Sequence, residues 1–240
     1  MQPSLIFVHG SGDSAGIWRL QVENFGPEQA FAIDLPGHGQ RPDTLPDEVT
    51  VLEYAQSVHS IITDELHLSK PIIGGHSLGG AVALSMGLEY PDELSGLILV
   101  GTGGRLRVHP DLLAGAKATP DLARTQLSQL AVARENATVL PAKIMQEQVA
   151  PANNILYRDL AACNIFDIMA RLPELRLPVL ILCGEEDRLT PVKYSQFLKQ
   201  ALPDSTLIII PNAGHYVMRE QSQAVNQAIQ EWLETRSWGA

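Results

Sequence analysis

The chain has 240 residues, 45% hydrophobic and 18% charged, enough apolar material for one large α/β domain or two small ones. A formal charge of -10 and a pI near 5.1 argue against nucleic acid or an anionic membrane as a partner. No apolar run approaches the ~20 residues of a membrane span, the first residues lack the basic region of a signal sequence, and Cys163 and Cys183 have no metal-ligand spacing. A cytoplasmic chain with no metal and no cofactor is expected; its oligomeric state stays open.

Ser4–Val8 is a continuous apolar run ending in His9-Gly10-Ser11-Gly12, as in a strand covered on both faces. Phe31–Asp34 is a second, stopped by Leu35-Pro36-Gly37-His38-Gly39. Thr50 with Glu53 forms a capping box, opening a helix with Leu52, Ala55, Val58, Ile62 and Leu66 along its apolar face. Ile72–Gly75 predicts a third strand, followed by a helix, and Leu97–Val100 a fourth. From Arg105 to Leu172 the strand-like runs vanish, and helical segments are expected at about 110–117, 120–135, 138–149 and 153–171. Thr119-Pro120 reads as an N-cap and first-turn pair. Strands resume at Val179–Leu182 and Leu207–Ile210, with helices expected near 193–201 and 221–235. Strands alternating with helices imply a doubly wound, mostly parallel sheet. The helix-only block breaks that alternation and reads as a lid inserted after the fourth strand. The expected organisation is a core of 1–104 and 173–240 with a helical cap at 105–172.

The chemistry centres on Gly75-His76-Ser77-Leu78-Gly79, a G-x-S-x-G elbow at a strand-to-helix turn. Glycines two before and two after the serine remove the Cβ atoms that would clash there, and Ser77 meets the positive end of the following helix. A serine hydroxyl needs an imidazole to take its proton, and the imidazole needs a carboxylate to orient it. His215 and Asp187 supply these groups, each just beyond an apolar strand, where chemistry collects in open α/β sheets. Glu185 and Glu186 compete with Asp187 for the acid role. The backbone N–H groups of Leu78 and Ser11 are the expected oxyanion donors.

With His9-Gly10, Asp34-Leu35-Pro36-Gly37-His38-Gly39, the serine elbow, Gly184–Asp187 before Pro191, and Gly214-His215 all in order, the chain resembles the α/β-hydrolase superfamily from about Ser4 to Trp232. That resemblance implies the α/β-hydrolase fold, selects Asp187 over the two glutamates, and implies acyl transfer to water without cofactor or metal. The chain begins at what would be the family's third strand, so a sheet of about six strands is expected. Gln40-Arg41 stands where the family often has a serine, a position read as structural. Serine at the elbow counts against haloalkane dehalogenases and epoxide hydrolases, which carry aspartate there. His76 and Ala81 count against the menaquinone-pathway lyase-type members.

A small lid implies a small to medium substrate, hence a carboxylesterase. Carbon–carbon bond hydrolases, lactonases, thioesterases and cofactor-free perhydrolases share the same triad, as do slow-turnover signalling receptors. Leu106, Leu112, Met145, Phe166 and Met169 are candidates for an acyl pocket; Leu113 and Leu156 stand beside them, and all could equally be the lid's own core. His9 and His38 read as turn residues bonded to backbone, His76 as packing beneath the elbow. Asp34 reads as tying down the Pro36–Gly39 turn. Six arginines, including Arg124 and Arg158, make the lid more basic than the rest and read as surface residues.

Overall fold

Each central strand is a run of residues apolar at every position because each is covered on both faces. In the computed structural model, which describes residues 2–152 and 154–238, β1 (Leu5–Val8), β3 (Ile72–His76), β4 (Gly96–Val100) and β5 (Val179–Gly184) are buried throughout. The edge strands β2 (Ala30–Ile33) and β6 (Ser205–Ile210) are only partly so. The described residues form one six-stranded sheet in the order β2-β1-β3-β4-β5-β6, parallel throughout.

Alternation along the strands sorts side chains into two layers. Ile6, Val8, Ile73, Leu97, Leu99, Val179 and Ile181 face a layer completed by α2 (Val51–Ser60), α3 (Leu78–Glu89) and α8 (Val192–Ala201). Leu5, Phe7, Ile72, Ile98, Val100, Leu180 and Leu182 face the other, with Trp18 before α1 (Arg19–Phe25) and Val225, Ile229, Trp232 and Leu233 of α10 (Ser222–Glu234). A short helix, α9 (Val217–Glu220), precedes α10. Among the described residues no helix is long and apolar enough to cross a membrane.

The Thr50–Glu53 capping box forms in both directions, Glu53 N–H to Thr50 Oγ1 at 3.3 Å and Thr50 N–H to Glu53 Oε2 at 2.8 Å. The buried stripe of α2 is Val51, Tyr54, Ala55 and Val58; Leu52, expected on that stripe, is 40% exposed because Val51 already fills the first contact and Leu52 lies about 100° further round.

Between β4 and β5 the described residues make four α-helices: α4 (Pro110–Ala118), α5 (Pro120–Leu130), α6 (Leu140–Gln146) and α7 (Ile155–Ile165). The segment leaves and returns through a clasp. Ile168 N–H bonds Gly104 O at 2.8 Å, and Arg105 Nε bonds Asp167 Oδ2 at 2.7 Å. That clasp ends α7 at Ile165, well before the expected 171; the expected start, Asn153, lies outside the described residues. The second helix ends at Leu130 because Ala131 O accepts Tyr216 N–H (2.9 Å) and Ala133 N–H goes to Glu220 (2.7 Å). The third is also shorter than expected, closing at Gln146. Thr119 stands at the expected cap position, but its hydroxyl donates back to Gly115 O at 3.3 Å.

Candidate active site

The strand-to-helix turn between β3 and α3 places Ser77 at φ 53°, ψ -113°, a region costly for any residue with a Cβ. Its surroundings enforce that conformation. Ser77 N–H bonds Val100 O at 3.0 Å, and Ser77 O accepts Thr102 Oγ1–H at 2.8 Å. A Cβ on Gly75 would lie 2.0 Å from Gly79 O, and one on Gly79 would lie 2.3 Å from Val8 O. Backbone meets backbone at both positions, so only glycine fits.

His215 follows β6 and Asp187 follows β5, and both are buried. His215 Nδ1–H donates to Asp187 Oδ2 at 2.8 Å, and Nε2 bonds no protein group among the described residues. Asp187 also receives Thr190 Oγ1–H (2.9 Å), Thr190 N–H (2.8 Å) and Leu189 N–H (2.9 Å). Burial pushes its pKa up, but His215 and the Thr190 donors outweigh that and hold the carboxyl below its ordinary value. Thr190, unremarked in the sequence, is thus part of the site; a hydroxyl residue three positions after an aspartate is the local signal that could have found it. Glu185 is exposed, and Glu186 accepts Arg134 N–H at 3.4 Å. Neither bonds His215 among the described residues.

His76 ends β3 beneath the elbow, its Nε2–H donating to His215 O at 3.1 Å and so fixing the loop that carries the imidazole. Burial, with the His215 charge nearby, holds its pKa well below 6.5. Glu220 braces the same loop through Gly214 N–H (2.8 Å). Asp13, also unremarked in the sequence, is buried with Oδ1 accepting Tyr216 O–H at 2.9 Å; burial holds its pKa above the usual carboxylate value.

The loop after β1 carries Ser11. Among the described residues, the backbone N–H groups of Ser11 and of Leu78, the first residue of α3, donate to no protein acceptor. Ser11, Asp13, His76, Ser77, His215 and Tyr216 line one cavity of about 450 Å³, with Leu106, Leu112, Leu127, Leu130, Leu160 and Cys163 of the inserted segment as its apolar wall. That volume suits a small-molecule ligand.

Three of the residues expected at the pocket lie elsewhere. Met145 packs against Ser128 Oγ (3.3 Å) beside a separate small void between α5 and α6. Phe166 turns into the sheet-facing core with Leu172, and Met169 sits in the clasp with its N–H on Asp167. Leu113 and Leu156 pack in the inserted segment's own core.

Arg158 corrects the reading of the arginines as surface residues: it is 2% exposed. Its Nη1 bonds both oxygens of Asp43 (2.9 Å each), its Nη2 bonds Pro36 O (3.0 Å), and its Nε bonds Tyr54 O–H (3.1 Å). Next to it, the buried Asp159 pairs with His38 Nε2 at 2.8 Å, while His38 Nδ1 reaches Pro36 O at 3.2 Å. His38 is therefore a turn residue and an ion-pair partner at once. His9 accepts Leu35 N–H at Nε2 (3.1 Å) and bonds Gly10 O at Nδ1 (2.8 Å). Asp34 ties down two loops, accepting Ala15 N–H (2.7 Å) and Gln40 N–H (3.3 Å). Among the described residues no group of three His, Cys, Asp or Glu side chains is placed to hold a metal.

An imidazole backed by a carboxylate, in one cavity with a serine on a strained elbow, is equipped for nucleophilic chemistry. Comparison with known proteins agrees with the fold. Residues 5–228 match the model of the alpha/beta hydrolase family, and the chain belongs to that family. A 2-hydroxy-6-oxo-6-phenylhexa-2,4-dienoate hydrolase of Burkholderia cepacia is 29% identical over 96% of this chain and 87% of its own length. A putative carbamate hydrolase, RutD, of Escherichia coli O7:K1 is 27% identical over 89% of this chain and 84% of its own. Among solved structures, a thermophilic esterase shares 35% identity at a TM-score of 0.82, covering 97% of this chain and 90% of that one.

Proposed function

We propose that this hydrolase cleaves carboxylic esters of small to medium size through an acyl-enzyme on Ser77. The observation that carries the reading is the His215–Asp187 pair (2.8 Å) opening onto the same cavity as Ser77. In this mechanism Ser77 Oγ attacks the ester carbonyl carbon as its proton passes to His215 Nε2. Asp187 fixes the tautomer and stabilises the imidazolium. The tetrahedral oxyanion rests on the N–H groups of Ser11 and Leu78. Collapse breaks the bond to the alcohol, which takes the proton from His215. Water, deprotonated by His215, then attacks the acyl-enzyme and releases the acid and Ser77. Residues 105–172 act as the cap whose leucines hold the acyl chain, on a core of 1–104 and 173–240.

The likeness to the dienoate hydrolase supports a second reading, in which the same serine cleaves a 2-hydroxy-6-oxo dienoate. Esters are favoured because the esterase structure is the more similar in sequence, 35% against 29% for the dienoate hydrolase; on the cap side of the cavity five leucines stand beside Arg107, His109, Asp111 and Gln126. Hydrolysis of p-nitrophenyl esters from acetate to palmitate tests the choice. Turnover peaking at short chains and lost in Ser77→Ala supports the esterase. A folded protein that ignores the series and cleaves the dienoate supports the second reading.

A further inference from the structure

The inserted helix α7 contributes more than a wall. Three of its residues at helical spacing, Leu156, Asp159 and Cys163, face Ser11 and Gly12 after β1, Asp159 through the backbone and Cys163 through the Ser11 side chain. Gly12 N–H donates to Asp159 Oδ2 at 2.9 Å, Ser11 Oγ lies 3.7 Å from Cys163 Sγ, and the Leu156 side chain sits 2.9 Å from where a Gly12 Cβ would be. The loop they hold is a tight turn, closed by Asp13 N–H to Gly10 O at 3.2 Å, with Gly12 at φ +70°. A turn built around a left-handed glycine is free to reorient its peptide planes unless something outside it fixes them.

Asp159 is fully buried and takes three donors: Gly12 N–H, His38 Nε2–H at 2.8 Å and Tyr54 O–H at 2.6 Å. Two of these would hold a structural carboxylate; the third reaches into the site. Burial opposes charge on His38, but Asp159 outweighs it and lifts the His38 pKa above its ordinary value. The carboxylate is thus an ionised, strong acceptor. Helix α7 is itself fastened to the core by Arg158 on Asp43, Pro36 and Tyr54.

We propose that Asp159 is a positioning residue for ester hydrolysis, gripping Gly12 N–H so that the neighbouring Ser11 N–H stays aimed at the oxyanion. The proposal rests on the serine-hydrolase reading above. It makes α7 the fixed arm of the cap and part of the machinery.

The test compares Asp159→Ala, Asp159→Asn and Tyr54→Phe by ester kinetics, melting temperature and hydrogen exchange at Gly12 N–H. Losing a well-placed oxyanion donor costs about 10²–10³ in kcat. A displaced one, in Asp159→Ala, is expected to cost about 10- to 100-fold in kcat with KM within about threefold, and Gly12 N–H should exchange fast. Asparagine keeps an acceptor for Gly12 and should recover most of kcat. Tyr54→Phe removes a different donor from the same carboxylate, so it should lower the melting temperature while leaving kcat and Gly12 protection near wild type. Should Asp159→Ala not fold, the other two variants decide, since kcat must follow Gly12 protection in both.

The proposal is overturned if kcat merely follows stability across the variants, if Asp159→Asn loses as much as Asp159→Ala, or if Gly12 N–H stays protected in Asp159→Ala. A wild type with no turnover, and no fluorophosphonate label on Ser77, would sink the hydrolase reading itself and this role with it. Normal wild-type turnover with a fully active Asp159→Ala would sink this proposal alone.

Discussion

Asp187 receives four hydrogen bonds, and each favours its ionised form beside His215. Replacing it with asparagine keeps the shape but presents the imidazole with the wrong partner. Asp187→Asn is expected to lower kcat by roughly 10⁴-fold, by analogy with the serine-protease triad. Glu186→Gln should stay near wild type, since among the described residues the Glu186 carboxylate accepts only the Arg134 N–H; steady-state kinetics on one ester checks both.

His9 gives a pH prediction of a different kind. Burial, with His38 nearby, lowers its folded pKa to about 4 from 6.5. The unfolded chain therefore takes up a proton near pH 6.5 that the folded His9 refuses until about pH 4. Stability is full above pH 6.5 and falls through that window, by about 3 kcal/mol for a shift of this size. The His38–Asp159 pair does not mask this, because His38 is protonated in both states across most of the window. Urea melts at pH 7 and pH 4.5 should show the loss, and His9→Gln, which still offers an acceptor to Leu35 N–H, should reduce it, leaving the part due to His76, whose pKa burial also holds well below 6.5. Equal slopes in both proteins would rule out His9 as the source.

At the scale of elements, α7 is one of the insertion's ties to the core, and Arg158 is central to it. Asp43→Ala would leave that guanidinium buried without its carboxylate. Breaking a buried pair from one side costs about 3–5 kcal/mol; because Asp43 is 37% exposed, about 2–3 kcal/mol is expected here. The loss would be read from chemical denaturation, and an unchanged midpoint would mean that the backbone acceptors Pro36 O, Leu45 O and Pro46 O hold Arg158 alone. None of this was legible in the sequence. An arginine on an amphipathic helix looks solvated, and its partners lie more than a hundred residues away. The helix ends in the insertion were misread for the same reason: Ala131, Ala133 and Asp167 spend their polar groups on distant partners, Tyr216, Glu220 and Arg105. The sheet, by contrast, was readable, because strands buried on both faces announce themselves as local apolar runs. Ser77 was nameable from its elbow motif and His215 from its place beyond a strand run, while Asp187, one of three acids after its run, was selected by the resemblance to the α/β-hydrolases. Asp13 and Asp159 were not, since they act through contacts with distant residues made only on folding, and Thr190 offered only its spacing from Asp187.

The described residues form a parallel sheet whose strand ends deliver a serine and an imidazole, the imidazole backed by a carboxylate, to one cavity covered by the inserted helices. The sheet supplies rigidity where Ser77 is strained, and the inserted helices supply the apolar wall. Division of labour on this plan makes the central claim a covalent one: the acyl group spends part of each turnover on Ser77. The most direct measurement is intact-mass and peptide analysis of the protein quenched by acid during turnover of a short p-nitrophenyl ester. The account predicts a single acyl adduct on the peptide carrying Ser77, absent in Ser77→Ala and slower to form in His215→Ala. Undiminished ester turnover in Ser77→Ala, or an adduct on another residue, would contradict it.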